Sequence, residues 1–261
     1  MIKHSSTNFK VLIAVLFSIG LFVVVGKLHY YLEPPSENYL PEENNIEAVT
    51  KTSIESTETT DTTQTNTKTS QNTTKELPNK YLLKVPFVPQ APLADWSEPY
   101  ENACEEASII MIKNYLLGET LSREEMKSEI DTSVNWQLNN WGTHADLNAE
   151  KTLLLAREHF TLSGQTFLNA DTNLIKKLIV NNSPVVIPTA GRKLGNPNFR
   201  GAGPEYHMLV VVGFDDTQGI FITNDPGTRK GENYVYKYEI LVNAISGPHE
   251  NMEKSVLVLS N

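Results

Sequence analysis

The chain has 261 residues, a formal net charge of −9 and a single cysteine. The negative charge argues against a general nucleic-acid binder, because phosphate binding needs a basic face. One cysteine excludes an intramolecular disulfide framework and disfavours a cysteine-based zinc site, and the sequence gives no sign of a metal or an organic cofactor.

The N-terminal segment predicts a membrane helix. Residues 11–26 form an apolar run without a charged residue, and two lysines precede this run while mainly acidic residues follow it. With its apolar flanks the run reaches roughly 20 residues, and the charge bias keeps the N-terminus in the cytoplasm. A cleaved signal peptide is the alternative, but Val24-Val25-Gly26 matches a cleavage site poorly. We therefore predict a retained anchor at residues 1–32 and a single-pass cell-membrane protein with an extracytoplasmic domain.

The next segment has the composition of a tether. Residues 33–79 are mostly Thr, Ser, Glu, Asn and Pro. Such a segment cannot bury enough apolar surface to offset the entropy lost on ordering. We expect it to be disordered, and we expect a folded domain over residues 80–261, which is a normal single-domain size.

Within that domain the predicted elements are helices first and strands later. The patterns indicate an extended segment at 81–90, a helix from Cys104 to Leu117 that ends at Gly118, a short helix opened by a Ser122–Glu125 capping box, a helix that starts at Thr143–Asp146 and runs through Phe160, and a helix capped by Asp171. Strand-like runs occupy 184–189, 207–214, 219–224, 233–240 and 255–260, with a hairpin turn at 215–219. This order predicts an α+β domain in which the helices pack on an antiparallel sheet.

Cys104 is the first candidate for chemistry. A free cysteine is most often a small buried hydrophobe, and an intermolecular bridge or a reactive thiol are the other possibilities. Cys104 lies in the first turn of a predicted helix, where unpaired backbone N–H groups and the helix dipole favour a thiolate. Glu105 and Glu106 oppose a second negative charge, although both side chains can point away from the sulfur.

His207 and Asp225 are the proposed partners of this cysteine. His207 begins an apolar strand, at a position suited to taking a proton from a thiol, although a lone histidine is usually structural. Counting back from the hairpin turn places Asp225 opposite His207, where its carboxylate can orient the imidazole. Asp225-Pro226-Gly227 is also a strong turn signal, and Asn224 is the alternative orienting residue.

Gln90 is the fourth candidate. It follows an extended segment and precedes Cys104 by 14 residues. An amide donor there can stabilise a tetrahedral oxyanion together with the Cys104 backbone N–H.

These residues resemble a known family. The segment VPFVPQAPLADWSEPYENACEEASIIMIKNYL and the segment EYHMLVVVGFDDTQGIFITNDPGT are similar to bacterial cysteine peptidase family thirty-nine-like domains, which are papain-like relatives of the double-glycine leader peptidases that process bacteriocin precursors. The resemblance covers roughly 85–261 and implies a papain-like fold, with Gln90, Cys104, His207 and Asp225 in the family's catalytic positions. Two departures are the long insertion between Gln90 and Cys104 and the presence of Glu105 where glycine is common.

The sequence thus predicts a cysteine peptidase that hydrolyses a peptide or protein outside the cytoplasm. Two alternatives remain at this point. One is a catalytically inactive peptide-binding module of the same fold, for which Glu105 is the best support. The other is a thiol amidase or acyltransferase that acts on the cell wall.

Overall fold

The computed structural model describes residues 76–144, 146–247 and 254–261. In these ranges the strands are β1 (Lys80–Leu82), β2 (Ser163–Leu168), β3 (Val185–Ala190), β4 (Tyr206–Asp215), β5 (Ile220–Asn224), β6 (Tyr234–Lys237) and β7 (Ser255–Ser260). The helices are α1 (Cys104–Leu117), α2 (Arg123–Trp141), α3 (Ala149–Glu158), α4 (Thr172–Val180) and α5 (Tyr238–Ala244), with short 3-10 helices at Tyr100–Asn102 and Gly191–Leu194.

The described strands form one antiparallel sheet. Their order is β2-β7-β3-β4-β5-β6, and β1 pairs with β4 at the end of β4 that leads into the hairpin turn. All ten residues of β4 are buried. Covering on both faces explains why this strand reads as a continuous apolar run instead of an alternating one.

Helix α1 packs against β4 and lies inside the domain. Every residue from Cys104 to Ile112 is buried, so the helix is enclosed on all sides instead of presenting one apolar stripe. The α+β prediction, with helices packed on an antiparallel sheet, is confirmed.

The helix signals at the start of the domain were partly right. Helix α1 has the predicted bounds, and Gly118 ends it with a φ of 68°, a left-handed conformation that glycine adopts without strain. The Ser122–Glu125 capping box is present, but α2 has 19 residues and is not the short helix that we expected. Its mostly polar sequence hides its length, because only one narrow side of α2 is buried.

Two other helix boundaries differ from the expectation. The helix expected from Thr143–Asp146 through Phe160 begins instead at Ala149, where the Asn148 side chain accepts a hydrogen bond from the Lys151 N–H. It ends at Glu158. The predicted Asp171 cap is confirmed, because its carboxylate accepts the Leu174 N–H at 2.7 Å.

The strand predictions were right except at two places. The run 233–240 is β6 only as far as Lys237, and α5 follows directly. Leu241 and Ala244 are both buried and are three residues apart, which is the spacing of one helix face. Strand β2 was not predicted, since its burial is mixed and its sequence has no clear alternation.

The predicted membrane anchor at residues 1–32 lies outside the described residues, as does most of the predicted tether at 33–79. Among the helices of residues 76–144, 146–247 and 254–261, none combines the length and the hydropathy needed to cross a membrane.

Candidate active site

Cys104 is the first residue of α1, as predicted, and its side chain is buried with 6% exposure. The backbone N–H of Met208 in β4 lies near enough to the Cys104 Sγ to lower the pKa of the thiol. Met208 directly follows His207, so the sulfur lies against the strand segment that carries the histidine.

The sulfur also has a carboxylate partner. The Cys104 thiol donates a hydrogen bond to Glu105 Oε2 at 3.2 Å. Burial raises the pKa of the Cys104 thiol well above its usual range, and the charge and hydrogen bond of Glu105 raise it further, while the Met208 N–H opposes them. The expected lowering of this pKa at a helix N-terminus is thus outweighed in this structure.

Glu105 points toward the sulfur and not away from it, which is the less favourable of the two orientations open to it. Its side chain is completely buried, and its second oxygen, Oε1, accepts the backbone N–H of Leu147 at 2.7 Å. Burial raises the pKa of Glu105 to about 7, although the hydrogen bonds from Cys104 and Leu147 lower it. Glu105 therefore titrates near neutral pH while it contacts the thiol.

Glu106 is buried as well but does not contact the sulfur. Its Oε1 accepts a hydrogen bond from the Gln137 side chain in α2. Burial, followed by the negative charge of Glu105, raises the pKa of Glu106 well above its usual range. The protonated form of this carboxyl group is therefore favoured more than in an exposed glutamate.

His207 and Asp225 form a buried pair. The His207 Nε2 lies 2.8 Å from Asp225 Oδ1, and the two residues are 2% and 0% exposed. Because Asp225 is ionised at neutral pH, Nε2 donates its proton to the carboxylate, and Nδ1 is the ring nitrogen that is free to exchange a proton.

Asp225 is held by three further hydrogen bonds. The backbone N–H of Gly227 donates to Oδ1 at 3.0 Å, while Oδ2 accepts the Tyr236 hydroxyl at 2.6 Å and the Asn196 amide at 3.1 Å. Burial raises the pKa of Asp225, but the charge of His207 and these hydrogen bonds outweigh burial and lower it below its ordinary value. The carboxylate is thus kept ionised and immobile although it is excluded from solvent.

The imidazole is also confined by close packing. The Phe199 ring meets it edge to face, with ring centroids 5.2 Å apart. A Cβ on Gly227 would lie 2.8 Å from His207 Cε1 and 3.1 Å from Nε2, so a side chain at residue 227 would displace the ring. The glycine of the Asp-Pro-Gly segment therefore supplies space for the histidine in addition to making a turn.

The hairpin places Asp225 near His207 by a different register from the one predicted. Asn224 pairs with Val210, and an irregularity between Val211 and Gly213 shifts the ladder. His207 and Asp225 are therefore not directly opposite, and their side chains close the remaining gap. Asn224, the alternative orienting residue, is engaged elsewhere, since its amide donates to the Val85 carbonyl at 3.0 Å.

Gln90 lies beside the loop that leads to Cys104, with its amide engaged by backbone groups. Its Nε2 donates to the carbonyls of Tyr100 and Glu101, each at 2.9 Å, and its backbone N–H donates to the Pro226 carbonyl at 3.0 Å. The buried Oε1 has no hydrogen-bond partner in the described chain. Gln90 thus connects the Cys104 loop to the Asp225 turn, and its role as an oxyanion donor stays a prediction.

The structure brings all four predicted residues to one end of α1 and β4. Asn196, Phe199 and Tyr236 were not predicted as members of the site. Asn196 and Phe199 lie in the long segment before β4, and Tyr236 lies in β6, so their contacts depend on the tertiary fold. The only signal that could have indicated them is a buried hydroxyl or amide beside the expected carboxylate. That signal requires the three-dimensional structure.

Comparisons with known proteins identify the family of the chain. A family model described as the Peptidase_C39 like family matches residues 82–255, and the chain belongs to this family. The protein is accordingly a cysteine-type peptidase, and its substrate is a peptide or a protein.

Two solved structures are similar to the chain. One is a Bacillus anthracis chain described as a C39-like peptidase, with 16% identity and a TM-score of 0.48, covering 70% of this chain and 98% of the other. The second is xylellain, a cysteine protease from Xylella fastidiosa, with 12% identity and a TM-score of 0.39, covering 88% of this chain and 98% of the other. The comparison with curated proteins finds no match.

Proposed function

We propose that this peptidase cleaves peptide bonds by a Cys-His-Asp mechanism, with Cys104 as the nucleophile, His207 as the base and then the acid, and Asp225 as the orienting carboxylate. The observation that carries the proposal is the buried 2.8 Å contact between His207 Nε2 and Asp225 Oδ1. This pair lies one residue from Met208, whose backbone N–H is close enough to the Cys104 sulfur to lower the pKa of the thiol.

The proton exchange falls to His207 Nδ1, because Asp225 occupies Nε2. Nδ1 takes the proton of the Cys104 thiol, and the sulfur attacks the carbonyl carbon of the substrate. The imidazolium that forms is stabilised by the Asp225 carboxylate, whose position is fixed by Tyr236 and Asn196. The imidazolium then protonates the leaving amine, and a water molecule activated by the neutral imidazole hydrolyses the acyl-enzyme.

The oxyanion of the tetrahedral intermediate needs donors near the start of α1. The backbone N–H of Cys104 is one candidate, since the N–H groups of a first helical turn have no partner within the helix. Gln90 is the proposed second donor. In its present orientation both of its N–H groups point to backbone carbonyls, so the role requires the amide to turn when substrate binds.

Turnover of a mixture of unstructured peptides, followed by mass spectrometry of the products, tests the mechanism. Cys104→Ala should abolish cleavage, and Asp225→Asn should lower kcat strongly, by up to about 10⁴-fold as in serine triads, because an amide holds the wrong tautomer. His159→Gln is the matched histidine control, since His159 packs beside Trp136 at the end of α3. Undiminished cleavage by Cys104→Ala would rule the mechanism out. So would a loss of activity in His159→Gln that equals the loss in His207→Gln.

We further propose that residues 1–32 anchor the protein in the cell membrane with the peptidase domain outside the cytoplasm. The support is the apolar run at 11–26 with its lysine and acidic flanks. In a bacterial host the full chain should stay in the membrane fraction after a high-salt wash, and a variant that lacks residues 1–32 should not. A mature N-terminus located just after residue 26 would show a cleaved signal peptide instead.

A further inference from the structure

Glu105 is a buried group that the proposed mechanism does not use. It is completely buried, and its Oε2 accepts the Cys104 thiol at 3.2 Å while its Oε1 is fixed by the Leu147 N–H at 2.7 Å. Both carboxylate oxygens therefore have a defined partner. In the described chain the thiol donates to this carboxylate and makes no hydrogen bond with the His207 ring.

We propose that Glu105 is a positioning residue for Cys104, which orients the thiol and shares a single proton with it. The inference rests on the proposed role of Cys104 as the nucleophile. It concerns the resting site, before substrate binds.

The shared proton moves without any change in the total charge of the pair. The S–H bond of Cys104 breaks and an O–H bond forms on Glu105 Oε2, so a thiol and a carboxylate become a thiolate and a carboxylic acid. The pair carries one negative charge before and after this step. Because both groups are buried, a transfer that creates no additional charge avoids a further desolvation cost.

The surroundings of Glu105 favour retention of this proton. Glu106 in α1, Asp146 in the loop before α3 and Tyr206 in β4 are the other titratable groups that interact with it. Burial first, and then the charge of Asp146, raise the pKa of Glu105 to about 7. The Cys104–Glu105 pair therefore loses its first proton near neutral pH and its second only at much higher pH.

A pair that shares one proton has a distinctive pH dependence. Between its two ionisations the ratio of thiolate to thiol is set by the internal proton transfer, and that ratio does not depend on pH. The thiolate population of the wild-type protein should therefore rise by no more than about twofold above pH 7, as the first ionisation is completed, and then stay constant. Without the carboxylate, the thiolate population should rise tenfold for each pH unit until the thiol itself titrates.

Alkylation of the full chain by iodoacetamide measures this population, because the thiolate is the reacting form and Cys104 is the sole cysteine of the chain. The rate is followed by intact mass between pH 7 and pH 9 for the wild type, Glu105→Gln and the control Glu106→Gln. Glutamine at 105 keeps an oxygen for the Leu147 N–H. Glutamine at 106 removes a buried carboxyl group that pairs with Gln137 and does not touch the sulfur.

We expect the alkylation rates of the wild type and of Glu106→Gln to change by no more than about twofold over this range. The alkylation rate of Glu105→Gln should rise by about a hundredfold, since each pH unit is a factor of ten in the thiolate population. A wild-type rate that rises continuously would overturn the proposal. So would a constant rate that persists in Glu105→Gln.

His207→Ala separates this inference from the proposed mechanism. A thiolate–imidazolium pair also gives a constant rate, but that constancy disappears when the imidazole is removed. Constancy that survives His207→Ala and is lost in Glu105→Gln assigns the proton to Glu105. The reverse pattern refutes the role of Glu105 and leaves the Cys-His mechanism supported. If Glu105→Gln does not fold, the wild-type and His207→Ala rates alone decide between these two results.

Discussion

Tyr236→Phe removes one hydroxyl group from the support of Asp225. The Tyr236 hydroxyl donates to Asp225 Oδ2 at 2.6 Å and accepts from the Asn196 amide at 2.8 Å, and Tyr236 is only 4% exposed. In the variant, Oδ2 retains the Asn196 hydrogen bond, and one N–H of Asn196 loses its acceptor.

The expected cost follows from the charge of the acceptor. A hydrogen bond to a buried charged group contributes about 1.5–3 kcal/mol, and we expect the upper half of this range because the Asn196 donor is orphaned as well. Asp225 has a pKa below its ordinary value in the folded protein. Its hydrogen bonds therefore stabilise the fold above the unfolded pKa of about 3.9, and this stabilisation is lost as the pH falls through the folded pKa.

Urea unfolding of the full chain at pH 7 and at pH 3 measures this effect. Tyr238→Phe is the matched control, because it removes a tyrosine hydroxyl that donates to an aspartate, Asp216, at 2.7 Å on the exposed side of the domain. We expect a loss of about 2–3 kcal/mol for Tyr236→Phe at pH 7, a smaller loss at pH 3, and less than about 1 kcal/mol for the control. Equal losses in the two variants, or a loss that does not depend on pH, would contradict the account of the Asp225 environment.

Three further changes follow from contacts in the domain. Gly227→Ala puts a Cβ 2.8 Å from the His207 ring, so turnover should fall about tenfold or more. In Gly213→Ala the new Cβ meets a β1 carbonyl oxygen at 2.4 Å, far from the site. This variant should lose about 1–3 kcal/mol of free energy of unfolding and keep its kcat in the folded protein. Kinetics and urea unfolding of both variants check this contrast, which similar losses of kcat would contradict. Burial raises the pKa of Asp215, but its hydrogen bonds, of which the one from Thr217 has the largest effect, lower this pKa to about 2. The free energy of unfolding should therefore fall between pH 4 and pH 2. An equally large fall in Asp215→Asn would show that other groups cause it.

Local signals predicted those parts of the fold that depend on neighbouring residues. The end of the cysteine helix was predicted correctly because Gly118 acts within one turn of the chain, and the start of α4 was predicted for the same reason from the Asp171 cap. The length of α2 was missed, since a polar helix with a narrow buried side has little periodic signal. The end of β6 was also missed, because the β-branched and aromatic composition of 233–240 conceals the change from strand to helix.

The site was predictable only in outline. The hairpin brought Asp225 to His207 even though the register differs from the simple count, because two side chains can span a displaced pair. The orientation of Glu105 was not predictable, since it depends on the Leu147 N–H, 42 positions away in sequence. The hydrogen bonds of Asn196 and Tyr236 to Asp225 likewise connect elements that are distant in the chain.

Peptide hydrolysis in ¹⁸O-labelled water tests the central claim most directly. If Cys104 forms an acyl-enzyme that water resolves, the wild-type chain should place one labelled oxygen in each new C-terminal carboxylate, and Cys104→Ala should yield no labelled product. Labelled cleavage products that persist in Cys104→Ala would contradict the assignment of Cys104 as the nucleophile.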